Sequence, residues 1–129
     1  MDATRIVVIS PSGELGTALS GEFSGSSFDV MEVRPGPALV KVLRRDRPRI
    51  AVIDRIDERL EAAQLEIALL KEFCPGVIII ARSDHSSEAD ASIVEQGIFY
   101  YAAAAPVDEL IRVIHAAARA AGRQREQRV

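Results

Sequence analysis

The chain has 129 residues, of which 48% are apolar and 27% charged, and its formal net charge is −3. That length suits one domain with a core of its own and is short for two. The acidic balance argues against nucleic acid or an anionic membrane as partner. A single cysteine, Cys74, excludes an internal disulfide. No apolar run approaches the roughly 20 residues of a membrane span, and no apolar leader follows Met1, which points to a cytoplasmic protein.

In chain order, Arg5–Ile9 reads as a buried strand that breaks at Ser10-Pro11-Ser12-Gly13. A helix follows over Glu14–Phe23, with Ser12 as its N-cap. Phe28–Val33 is a second strand, and Pro35-Gly36-Pro37 separates it from a helix over Ala38–Arg45. Arg49–Asp54 is a third strand. The longest helix, Glu58–Phe73, sets Leu60, Ala63, Ile67 and Leu70 at helical spacing, with Leu65, Leu69 and Phe73 widening that face. It stops at Cys74-Pro75-Gly76. Val77–Ala81 is a fourth strand, and a short helix over Glu88–Gln96 ends at Gly97. Ile98–Ala103 is the fifth strand, with Phe99 packing into the core. The last helix, Val107–Ala121, has Val107, Leu110, Ile111, Ile114 and Ala118 on one stripe. Residues 1–121 thus form the domain, and 122–129 a polar tail or the start of a linker.

Near-continuous Val/Ile strands alternating with helices predict an open parallel sheet covered on both faces. Five such units resemble the receiver domain of two-component response regulators, over about Arg5–Arg119. RPRIAVID (47–54) and GIFYYAAAAP (97–106) carry the resemblance. It implies a flavodoxin-like, three-layer α/β sandwich whose five-stranded parallel sheet runs 2-1-3-4-5. It sets Asp54 at the phospho-accepting aspartate. Gly97, Tyr101 and Pro106 stand at or near the family's glycine, aromatic and proline.

Several chemical groups of that family are missing. Its first strand ends in two acids that hold Mg²⁺, and this chain has Ser10 and Pro11 there. Serine without carboxylate company is a poor ligand, and proline offers no side-chain oxygen. Ala81, followed by Arg82, stands for the Thr or Ser that ends the fourth strand. Ala104 or Ala105 stands for the lysine before the proline. Arg55-Ile56-Asp57-Glu58 lacks the usual proline and glycine. Each group that stabilises a transferring phosphoryl is worth about 3 kcal/mol. A phosphorylation-independent pseudo-receiver is therefore expected, with no catalytic activity and no cofactor. Its partner would be a kinase, a regulator, its own effector domain or a second copy. The contact surface would lie on the 88–96 helix, the fifth strand and the last helix, around Tyr101, Glu109, Arg112 and His115.

Other assignments compete at the same residues. Asp54 is either a phosphoacceptor in an atypical working receiver or a strand-end aspartate paired with an arginine such as Arg55 or Arg82. Asp57 and Glu58 either recruit a cation or stabilise a helix N-terminus. In PSGELG, Gly13 and Gly16 match the last two glycines of a dinucleotide loop, with Pro11 in place of the first and Glu32 near the ribose-binding acid. That gives a third reading, a small Rossmann-like nucleotide-binding domain. His85 and His115 lack ligand spacing for zinc. The run Arg44-Arg45-Asp46-Arg47 is a solvated helix end or a basic docking patch.

Overall fold

The apolar runs in the middle of the sheet become strands because, buried on both faces, they satisfy their backbone only through their neighbours. The structure, a computed structural model, describes residues 4–25, 27–56, 59–83, 97–103 and 106–127, and the side chains of 101–103 and 122–127 fall outside that description. The strands are β1 (Thr4–Ile9), β2 (Phe28–Val33), β3 (Ile50–Ile53), β4 (Ile78–Ser83) and β5 (Tyr100–Ala103). The helices are α1 (Glu14–Glu22), α2 (Ala38–Asp46), α3 (Leu60–Phe73) and α4 (Val107–Gln127). All pairings are parallel, and the order is β2-β1-β3-β4-β5, as the resemblance implies.

Side-chain alternation sorts the core into two layers. Ile6, Val8, Ile50, Val52, Ile78 and Ile80 face Leu15, Leu19 and Phe23 of α1 and Leu110, Val113 and Ile114 of α4. Val7, Ile9, Ala51, Ile53, Ile79 and Ala81 face Leu39 and Leu43 of α2 and Ala63, Ile67 and Leu70 of α3. Burying each large aliphatic side chain stabilises by about 1.5–3 kcal/mol, so the two layers supply most of the favourable term.

Some expectations shift. β4 runs to Ser83, two residues past Ala81. The last helix continues to Gln127, six residues past its expected end at Ala121. Ala120 and Ala121 before Gly122, and Arg123, Gln124, Arg125 and Glu126 after it, are good helix formers and carry the helix across the glycine. Leu65 does not widen the buried face of α3 and is 62% exposed. At 100° per residue it lies on the far side of the helix from Ala63 and Ile67. Phe99 is 45% exposed because it leads into an edge strand that nothing flanks on one side among the described residues. The expected helix over 88–96, together with Asp57, Glu58, His85, Ala104 and Ala105, lies outside the described residues.

The glycines of PSGELG have a packing explanation. Gly13 caps α1 with φ 81°, in the left-handed region, while Ser12 Oγ accepts the Glu14 N–H at 3.4 Å. A Cβ on Gly13 would stand 2.5 Å from Glu32 Oε1, and one on Gly16 would stand 2.8 Å from Glu32 Cβ. Gly16→Ala should therefore destabilise by about 1–3 kcal/mol through overpacking, against the helix-propensity gain of about 1 kcal/mol. Urea denaturation of the variant checks the sign.

Candidate functional site

The strand register assembles the site. Ile9, Ile53 and Ala81 are paired across β1, β3 and β4. The next residue on each strand is Ser10, Asp54 and Arg82. Alternation turns all three to the α1/α4 side, at the carboxyl end of the sheet. In open α/β sheets this end, outside the strand termini, is where ligands bind.

Asp54 is 2% exposed and Ser10 is fully buried. Arg82 Nη1 donates to Asp54 Oδ1 at 2.7 Å, and the Arg55 backbone N–H donates to the same oxygen at 3.0 Å. The Ser10 hydroxyl donates to Asp54 Oδ2 at 3.1 Å. Both carboxylate oxygens are thus engaged, one by a charge-assisted bond. A cleft of about 250 Å³ opens above, lined among others by Ser12, Glu14, Arg55, Arg82 and Val107.

The loop after β3 is fixed from below. Arg55 sits at φ 52°, in the left-handed region, and turns the chain sharply. Arg59 donates from Nε and Nη2 to the Asp54 carbonyl at 3.3 and 3.2 Å. The same guanidinium grips Glu66 on α3 in a two-pronged pair at 2.8 and 3.0 Å. Glu66 is 4% exposed, so this pair sits largely out of water. Arg59 and Glu66 were not among the sequence candidates. Their only sequence signal is an arginine preceding a helix that carries a glutamate on its buried stripe.

Ala81 is not the strand-end position facing Asp54. It points to the opposite layer, into the core with Ile79, because the alternation places Arg82 beside Asp54. Ser83 is buried as well. Ser10 reaches the site, whereas Pro11 contributes its carbonyl, which accepts from Arg34 Nη1 at 3.0 Å. Gly13 and Gly16 lie against Glu32, and that carboxylate beside the loop disfavours an incoming phosphate by like-charge repulsion.

The sequence candidates for a partner surface are divided. The Tyr100 hydroxyl donates to Glu109 Oε1 at 3.1 Å, which places Glu109 beside β5. His115 stands about 120° further round the helix. Its ring packs edge-on against Phe23 and Phe28, with centroids 5.6 and 5.3 Å away, so it belongs to the α1 side and not to the β5 surface. Arg112 is exposed, and Tyr101 is paired with Ala81 in β5. The hydrogen bond to Glu109 raises the Tyr100 pKa above its ordinary value, with smaller contributions from desolvation and the Glu109 charge.

A divalent ion does not fit the described donor set. Asp54 has both oxygens bound, Arg82 already brings a positive charge to it, and Ser10 and Pro11 supply no second carboxylate. Among the described residues no three His, Cys, Asp or Glu side chains gather as metal ligands do.

No protein-family model and no curated protein matches the sequence. Solved structures do. A response regulator from Thermotoga maritima superposes with a TM-score of 0.73 at 18% identity, over 89% of this chain and 97% of that one. A receiver domain protein from Methanospirillum hungatei gives 0.75 at 14%, over 95% and 99%. The receiver domain of a Pseudomonas aeruginosa sensor histidine kinase, solved with magnesium in its active-site cleft, gives 0.66 at 20%, over 93% and 98%. The chain therefore has the response-regulator receiver fold. Among its described residues no helix is long and apolar enough to cross a membrane.

Two outcomes are expected. Arg82→Ala should cost about 3 kcal/mol at neutral pH, because it strands a buried carboxylate. Adding Asp54→Asn should recover part of that loss in urea denaturation. In a Tyr101→Phe background, which leaves Tyr100 as the only tyrosine, the phenol should titrate above the ordinary tyrosine range by ultraviolet absorbance. Glu109→Gln should bring it back down.

Proposed function

We propose that this chain is a receiver-fold signalling module of a two-component type pathway, acting through protein–protein contact without phosphorylation of Asp54. The Asp54–Arg82–Ser10 arrangement carries this reading. An acceptor carboxylate has to present an oxygen to the incoming phosphoryl group while cations neutralise the charge that builds up. Here one oxygen is held at 2.7 Å by Arg82 and the other by Ser10. Breaking these contacts to reach the acceptor geometry would uncover a buried charge. A similar fold from Burkholderia pseudomallei was solved with a phosphorylated aspartic acid and calcium, whereas in this chain Ser10 and Pro11 put no second carboxylate beside Asp54.

The proposed contact surface lies on β5 and the adjoining face of α4. Phe99 and Tyr100 are the large exposed hydrophobics of that region, bordered by Glu109 and Arg112. Exposed aromatics with a polar rim suit a protein partner such as a kinase, a regulator or an effector domain. The rival reading, an atypical receiver phosphorylated on Asp54, draws on the same cleft, since Arg55 and Arg82 bring positive charge to its wall.

Amide NMR with Mg²⁺ and beryllofluoride, a mimic of aspartyl phosphate, separates the two. The expected spectrum is unchanged at residues 10, 54–56 and 82. Shifts at those residues that spread into β5 would establish the rival and overturn the proposal.

A further inference from the structure

The opposite end of the sheet carries a second concentration of charge. Six basic residues lie on the elements that converge there. Arg5 lies near the start of β1, Lys41, Arg44 and Arg45 on α2, and Arg47 and Arg49 on the link into β3. The Arg49 N–H donates to the Arg5 carbonyl at 3.0 Å, which joins the two strand starts. Asp46 is the acid among them and is already shared. Arg45 reaches it at 2.9 Å and Arg5 at 3.5 Å. The side chains of Lys41, Arg44, Arg47 and Arg49 make no hydrogen bond or ion pair among the described residues. Lys41, Arg44 and Arg47 are exposed.

Helix-end electrostatics account for part of this cluster only. Arg44 and Arg45 occupy the last turn of α2, where a cation complements the helix dipole. Arg5, Arg47 and Arg49 lie outside the helix. Arg47 is the telling residue. It terminates α2 in the left-handed region, at φ 43° and ψ 67°, with its N–H on the Leu43 carbonyl. Glycine fills that position without steric cost. An arginine there keeps a cation on the surface at the expense of backbone comfort.

The chain as a whole is net negative, so the surface away from this cluster is more acidic than the total suggests. Asp29, exposed on β2 across from Arg5, marks one border. An extended polyanion such as duplex DNA, with a charge about every 1.7 Å, would run off the patch onto like charge. A short acidic segment would not. We propose that this end of the domain docks a short Glu/Asp-rich segment of a partner protein, with its carboxylates taken by Arg44, Arg47 and Arg49. Arginine suits that task because its planar fork binds carboxylate in two-pronged fashion. The inference is independent of how Asp54 is used.

The test is an amide NMR titration of the full chain with acetylated octaglutamate, run beside a duplex DNA oligonucleotide. Saturable shifts confined to residue 5 and residues 41–49 are expected, weakening several-fold as salt rises. Arg44→Glu with Arg47→Glu should abolish them while leaving the circular dichroism spectrum unchanged. Arg47→Gly supplies a separate check, since it should raise stability and lower affinity together. An unchanged affinity in Arg47→Gly, shifts scattered over other basic residues, no saturation, or tighter binding of the duplex would each overturn the proposal.

Discussion

A carboxylate at the end of a wholly apolar strand is the constraint around which the site is organised. Asp54 follows Ile50–Ile53, all fully buried, and is itself almost out of water. A lone carboxylate there would be costly in the ionised form. Three neighbours resolve the problem, each supplied by a different piece of chain. Arg82 comes from β4, Ser10 from the end of β1, and the Arg55 amide from the loop that begins at Asp54 itself. Because Ser10 and Arg82 follow the two strands that flank β3, anything that shifts the register of these inner strands disturbs the charge balance as well.

The loop beyond Asp54 repeats this logic one layer down. Arg59 holds the Asp54 carbonyl and the buried Glu66 at once, so the β3–α3 connection is tied to the helix it feeds. The αL turn at Arg55 is thereby fixed at both sides. Rigidity here and the charge pair above act together, and both favour a cleft of fixed shape over one that rearranges around a ligand.

The fold was legible because its two central strands are nearly unbroken runs of Val and Ile, a pattern that only a doubly covered sheet accommodates. The site was less so. The register pairs Ile53 with Ala81, so the residue beside Asp54 is Arg82, one position past Ala81, and in a strand one position is the other face. That is why an alanine was expected where an arginine stands. The family resemblance groups His115 with the β5 surface, whereas the helical angle sends it to Phe23 and Phe28. The Glu32 contact with Gly13 and Gly16 joins residues on two elements, and no local pattern announces it.

The length of α4 has a mechanical consequence. Its 21 residues span about 31 Å, while a strand of 6 residues such as β1 spans about 20 Å. The helix is therefore longer than the sheet it packs on is tall. Its buried residues Leu110, Val113, Ile114 and Ala117, with Ala118, Ala120 and Ala121 packed against the same core, hold residues 107–121 to the sheet. Its backbone stays helical to Gln127. A tilt of about 10° about its first turn, beside β5, would carry the far tip through about 5 Å, so a small adjustment at the β5 edge becomes a larger displacement at a distance.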